Sequence, residues 1–139
     1  MKRFVLDASV ALRWFLDDSV PPYAERVKQL LIKGGRAAVP ALWHLEMSNG
    51  LAVAERRSIL SAENIDQSLL AIEQIVSQRV DTSSLFVSTR QALAVARAFK
   101  LSAYDAVYLD LARHEKLPLA SLDERLRTAA AQAGVELLR

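Results

Sequence analysis

The strongest constraint on the fold is a rhythm in which short apolar runs alternate with longer segments of helical spacing. The runs are RFVL at residues 3–6, RAAVP at 36–40, RVDTSSLF with a strand end near Asp81, LPLAS at 117–121 and VELL at 135–138. Each has the length of a strand rather than a helix. Between them lie ASVALRWFLDD and a helix from Pro22 to Lys33, stopped by Gly34 and Gly35. A helix then enters at Pro40 through ALWHLEMSNGLAVAERR, and another runs from Ala62 to Ser77 with Ile65, Leu69, Ile72 and Val76 on one stripe. Helices follow in SSLFVSTRQALAVARAFK, giving out near Lys100, in LSAYDAVYLDLA, and in DERLRTAAAQA up to Gly134. Helices alternating with strands bury a parallel sheet on both faces through right-handed crossovers. The expectation is an α/β fold of three layers, α/β/α, with a central parallel sheet of four or five short strands, forming one domain over residues 1–139.

Composition narrows the function classes. The chain is 52% hydrophobic and 24% charged, which describes an ordered domain. It has no cysteine, so a disulfide framework, a thiolate zinc site and a cysteine nucleophile are all excluded. Asp7 and Arg13 interrupt the apolar N-terminal stretch, unlike a signal peptide or membrane span, and the expectation is a cytoplasmic protein with no membrane association. The net charge is only +2, from 18 basic and 16 acidic residues. If four acids are gathered into one site, the remaining surface is distinctly basic and suits a polyanion.

One acid is oddly placed. In LSAYDAVYLDLA, Asp105 shares a helical face with Leu101, Tyr108, Leu109 and Ala112, whereas Asp110 points toward Arg113 and His114. Asp7 closes the first strand and Asp123 follows LPLAS by two residues, so neighbouring strands would bring them face to face at the carboxyl edge, where open parallel sheets bind ligands. Glu46 sits on a helix face of small residues that includes Asn49 and Gly50. Singly, each acid has an ordinary explanation: Asp7 as a helix start, Glu46 as surface, Ser102 with Asp105 as a capping box, and Ser121 with Glu124 as another that leaves Asp123 as first-turn charge. Jointly, burying them costs several kcal/mol per ion, and one or two hard divalent cations with oxygen ligands offset that cost. The set therefore reads as an Mg²⁺ or Mn²⁺ site.

Other readings fare poorly. His44 and His114 have no metal-ligand spacing, and the glycines fit neither a dinucleotide fingerprint nor a P-loop. A phosphoacceptor receiver needs a paired acid after its first strand, and a D-x-D phosphatase needs an acid at position 9, where Ser9 stands. Trp14, Trp43, Tyr104 and Tyr108 read as core or interface, with Tyr104, beside Asp105, also able to stack on a base.

The segments FVLDASVALRWF, VPALWHLEMSNGLAVA, LSAYDAVYLDLA and LPLASLDERLRTAA resemble, in order and spacing, the PIN-domain ribonucleases, and among them the VapC-like toxins of type II toxin–antitoxin modules. The resemblance implies an acidic metal pocket of Asp7, Glu46, Asp105 and Asp123, supported by Ser9, Asn49 and Ser121. It implies metal-assisted phosphodiester hydrolysis of single-stranded or looped RNA, transfer RNA being one such substrate. Arg13, Arg56, Arg57 and Lys100 are candidate phosphate contacts. The resemblance further implies a homodimer and a VapB-like antitoxin, whose basic side chain enters the acidic pocket while Trp14, Phe15, Tyr23 and Val27 line its groove. The competing expectation is a catalytically silent module that keeps the fold to bind RNA or protein.

Overall fold

A computed structural model describes residues 2–139. The first strand, β1 (Arg3–Leu6), lies inside a four-stranded parallel sheet of order β3-β2-β1-β4, with β2 at Arg36–Val39, β3 at Val80–Thr82 and β4 at Leu119–Ala120. Phe4, Val5 and Leu6 are all fully buried, as expected of a strand covered on both faces. Its register sets Phe4 opposite Ala37 on one side and Leu6 opposite Ala120 on the other. The ends of β1 and β4 are thus adjacent, and that adjacency positions the site.

Around the sheet run α1 (Ala8–Ala11), α2 (Arg13–Leu16), α3 (Pro22–Ile32), α4 (Ala41–Arg56), α5 (Ala62–Arg79), α6 (Thr89–Phe99), α7 (Ala103–Glu115) and α8 (Glu124–Gln132). Pro22 opens α3, where a missing N–H costs nothing. Gly34 follows α3 with φ at +104°, a conformation that side chains rarely adopt. Side-chain oxygens cap α5, α6, α7 and α8: Ser61 accepts from the Asn64 amide, Ser88 from Gln91, Ser102 from Asp105 and Asp123 from Leu126.

Three sequence expectations change. The segment after β1 is two short turns of helix meeting at Leu12, not one helix, although Leu12 keeps helical dihedrals and its amide still bonds the Ala8 carbonyl at 2.9 Å. At Gly50, α4 packs tightly on Leu12: a Cβ added there would lie 2.5 Å from the Leu12 Cδ2. The helix expected from SSLFV starts instead at Thr89, because the Ser83 side chain accepts the Leu85 amide in a local turn and Ser88 takes the cap. VELL supplies only one bridge, Leu137 to Leu119, so the sheet has four strands.

The core holds Trp43, Tyr108, Leu109, Leu111 and Leu126 against the sheet. Across β2 and β3, Arg36 grips Asp81 with two hydrogen bonds of 3.0 and 2.7 Å. Among the described residues, no helix is long and apolar enough to cross a membrane.

Candidate active site

Asp7 is the first residue past β1, and its amide donates to the Ala120 carbonyl of β4 at 2.9 Å. It occupies the capping position of α1 but makes no capping bond, so the helix-start explanation does not account for its side chain. Instead its Oδ2 accepts the hydroxyls of Ser9 at 2.6 Å and Ser121 at 2.7 Å. Each serine oxygen also accepts a backbone amide, from Leu122 at 3.0 Å for Ser9 and from Asp123 at 3.0 Å for Ser121. A hydroxyl has a single proton, and both serine protons are aimed at one carboxylate oxygen, the two hydroxyl oxygens lying 3.5 Å apart. Asp7 is 4% exposed and Ser121 is sealed from solvent.

The other three acids arrive on separate helices. Glu46 comes from the second turn of α4, Asp105 from the first turn of α7, and Asp123 caps α8. Glu46, Asp105 and Asp123 line one cleft of about 490 Å³ together with Ser9, Asn49 and Tyr104. Burial, outweighing the two serine hydroxyls, holds the Asp7 carboxyl above its ordinary range, with the charge of Asp123 adding to the effect. Burial, then the charges of Asp123 and Asp7, raises Asp105. Burial raises Glu46 too, against the opposing hydrogen bond from Tyr108, and Asp7 and Asp105 push it further. Charge coupling thus reaches Asp7 from Asp123, Asp105 from Asp123 and Asp7, and Glu46 from Asp7 and Asp105. The positive ends of α7 and α8 partly offset the repulsion at Asp105 and Asp123.

The chain matches the PIN domain family over residues 4–132. It is a PIN domain. Among solved structures, its fold is similar to that of FitAcB from Neisseria gonorrhoeae, with a TM-score of 0.69 and 18% identity over 98% of this chain and 96% of that one. It is also similar to PAE2754 from Pyrobaculum aerophilum, with a TM-score of 0.65 and 20% identity over 92% of this chain and 84% of that one. No curated protein matches the sequence.

Within this PIN domain, the sequence reading missed two contributors. Tyr108, read as core or interface, is fully buried, yet its hydroxyl donates to Glu46 Oε1 at 2.6 Å. The available signal was chemical: a buried tyrosine O–H needs a partner, and Tyr108 lies one helical turn from Asp105. Arg125, exposed in the first turn of α8, was not singled out, but its charge acts on Asp105 and favours the ionised acid.

The peripheral candidates are less uniform. Val27 is fully buried in the core and cannot line a groove, because α3 turns that face toward the sheet. Tyr23 gives its hydroxyl to the Leu138 carbonyl at 2.6 Å, and the guanidinium groups of Arg26 and Arg127 lie 5.6 and 5.3 Å from its ring centre. Trp14 does line an apolar groove of about 360 Å³, formed with Leu31, Ile32, Ala71 and Ile75, and Phe15 is half-buried beside it in sequence. Arg13 is held by Asp17 at 2.7 Å. Arg56 and Arg57 are exposed at the far end of α4, about 15 Å along the helix from Glu46 at the usual rise per residue. Lys100 is exposed at the end of α6, just before the α7 cap. Asp110 pairs with Gln91 at 3.2 Å rather than with Arg113 or His114.

The donors in the cleft are oxygens throughout, the set that suits a hard divalent cation. Among the described residues, no three acidic or histidine side chains stand close enough to hold a common ion as they are. Mg²⁺ keeps most of its waters and needs only one or two direct carboxylates, so the arrangement fits such an ion with the remaining acids reached through water. The residues that could hold it are Asp7, Glu46, Asp105 and Asp123.

Proposed function

We propose that this PIN domain is a divalent-metal-dependent endoribonuclease and the toxin of a toxin–antitoxin pair, acting on single-stranded or looped RNA. PIN domains are generally nucleases. The observation that carries the reading is a cleft whose charged lining residues, Glu46, Asp105 and Asp123, are all acids, with the buried Asp7 carboxylate steadied by two hydroxyls and within charge reach of Asp105 and Glu46. Such a group is costly unless something cationic visits it. When bound, Mg²⁺ or Mn²⁺ polarises the phosphate, activates water and neutralises the leaving oxygen.

The chain's own residues do the rest. Ser9 and Ser121 keep Asp7 fixed as an acceptor. Arg125, exposed on α8 and within charge reach of Asp105, draws in a phosphate. Tyr104, 65% exposed at the cleft, offers a flat face to an unpaired base, with Leu42 and Leu45 beside it in the lining. Duplex bases are stacked and present no such face, which favours a single strand or loop. No histidine lines the cleft: His44 engages Thr82 at 2.8 Å, and His114 lines a different hollow.

The same reading includes a homodimer and an antitoxin that places a basic side chain among the acids and seats apolar ones against Trp14. The deciding experiment incubates the purified protein and its Asp7→Asn variant with a single-stranded oligoribonucleotide, in Mn²⁺ or in EDTA. Cleavage by the wild type in Mn²⁺ alone is expected. Cleavage undiminished in EDTA overturns the metal, and binding without cleavage favours the silent module. Light scattering tests the dimer, and co-purification with the protein encoded next door tests the antitoxin.

A further inference from the structure

Each acid of the cleft has a different anchor. Asp7 is held by two serine hydroxyls and Asp123 by the Leu126 amide, while Asp105 lies beside the Ser102 hydroxyl. Glu46 has the longest side chain of the four and the most rotamers to lose. Among the described residues its side-chain hydrogen bond is the one from Tyr108, spanning 62 residues of sequence at 2.6 Å.

Tyr108 is well suited to orient this carboxylate. Its ring is sealed in the core, so the hydroxyl is a fixed point rather than a swinging one. Burial pushes the phenol well above its ordinary range, and the neighbouring charges of Glu46 and Asp7 push it the same way. The hydroxyl's single proton points at Glu46 Oε1. The bond engages Oε1 of Glu46 and leaves Oε2 uncommitted. Asp105 lies three residues earlier on the same helical face, so one stretch of α7 supplies an acid directly and orients a second acid belonging to α4.

We infer that Tyr108 is a positioning residue of the proposed cation site, acting through Glu46 by fixing Oε1 and so the direction in which its carboxylate is presented to the cleft. The inference rests on the metal-dependent reading above. Partners that orient metal ligands typically contribute 10- to 100-fold to affinity.

The test is Mn²⁺ binding, followed by isothermal titration calorimetry without RNA, for wild type, Tyr108→Phe, Glu46→Gln and the double variant, with melts in EDTA as a check on folding. Tyr108→Phe should weaken Mn²⁺ binding by roughly 10-fold or more. In the double variant Tyr108→Phe should add nothing to the loss from Glu46→Gln, because its effect passes through that carboxylate. Unchanged Mn²⁺ affinity in Tyr108→Phe, or losses that multiply in the double variant, overturns the inference and leaves the metal site standing. A wild type that binds no Mn²⁺ removes both. Glu46→Asp gives an independent check if the phenylalanine variant folds poorly: it keeps the charge but withdraws the carboxylate from Tyr108, and should lose Mn²⁺ affinity. Affinity equal to wild type would mean that charge alone matters.

Discussion

Replacing Asp7 with asparagine should abolish activity and, without metal, make the protein more stable. Two effects compete. The Ser9 and Ser121 hydroxyls donate to a charged oxygen in the wild type and to a neutral one in the variant, a loss of about 1 kcal/mol per bond. Against this, removing an ion that is 4% exposed recovers a desolvation cost of several kcal/mol and relieves repulsion from Asp123. Burial is the larger influence, as the raised pKa of Asp7 shows, so the net gain should be on the order of 1–2 kcal/mol. For a domain of this size that raises Tm by roughly 3–8 °C.

The pH dependence supplies the sign. The folded state holds the Asp7 proton to a higher pH than the unfolded chain, whose reference value is 3.8, so wild-type stability falls as pH rises through that window and stays lower above it. The advantage of Asp7→Asn should therefore be small near pH 3.5, below that reference, and full at neutral pH. Asp81, whose pKa is lowered by Arg36, gives the opposite slope, but both proteins share it and it cancels. Adding Mg²⁺ at ten times its dissociation constant should return about 1.4 kcal/mol to the wild type and less to the variant. Thermal melts in EDTA and in Mg²⁺ across this pH range provide the assay. A variant that melts below wild type at neutral pH in EDTA would refute the claim that the Asp7 charge is a net cost to the fold.

Three further outcomes are expected. Ser121→Ala should destabilise by about 2–3 kcal/mol in urea denaturation, since it strips a hydroxyl from Asp7 and an acceptor from the Asp123 amide inside a sealed site; a loss under 0.5 kcal/mol would contradict this. Gly50→Ala should be near neutral, because the new methyl meets the flexible end of the Leu12 side chain at 2.5 Å, a strain that offsets about 1 kcal/mol of better helix propensity. In a Leu12→Ala background the same change should instead stabilise by about 1 kcal/mol, and equal effects in both backgrounds would discount the contact. Tyr104→Ala should raise KM on a single-stranded oligoribonucleotide by roughly 5- to 150-fold, equivalent to 1–3 kcal/mol of stacking, while Tyr104→Phe stays near wild type.

Much of this was legible because two periodicities are simple. The continuous apolar run of RFVL marks a strand covered on both faces, and the stripe on LSAYDAVYLDLA marks a helix whose buried face includes an acid. Adjacency of β1 and β4 then brings Asp7 toward Asp123, as the two strand ends suggested. What escaped depends on three-dimensional partners. SSLF has helical spacing, but the Ser83 side chain offers its backbone a competing turn. Val27 fits a surface stripe as well as a core one, and only the roll of α3 against the sheet decides between them. For Ser121 the sequence left two roles open, a cap or a support of the pocket; its hydroxyl proton goes to Asp7 and the capping passes to Asp123. The phenol of Tyr108 meets a carboxylate 62 residues away, a distance that no local pattern encodes.

The single turn of α7 between Asp105 and Tyr108 ties two corners of the cleft to one rigid rod. Were that rod to shift along its axis, it would carry one acid away and release another in the same movement. The pocket should thus fail or assemble as a unit, and substitutions that loosen the seat of α7 far from the cleft should read out as lost cation affinity before they read out as unfolding.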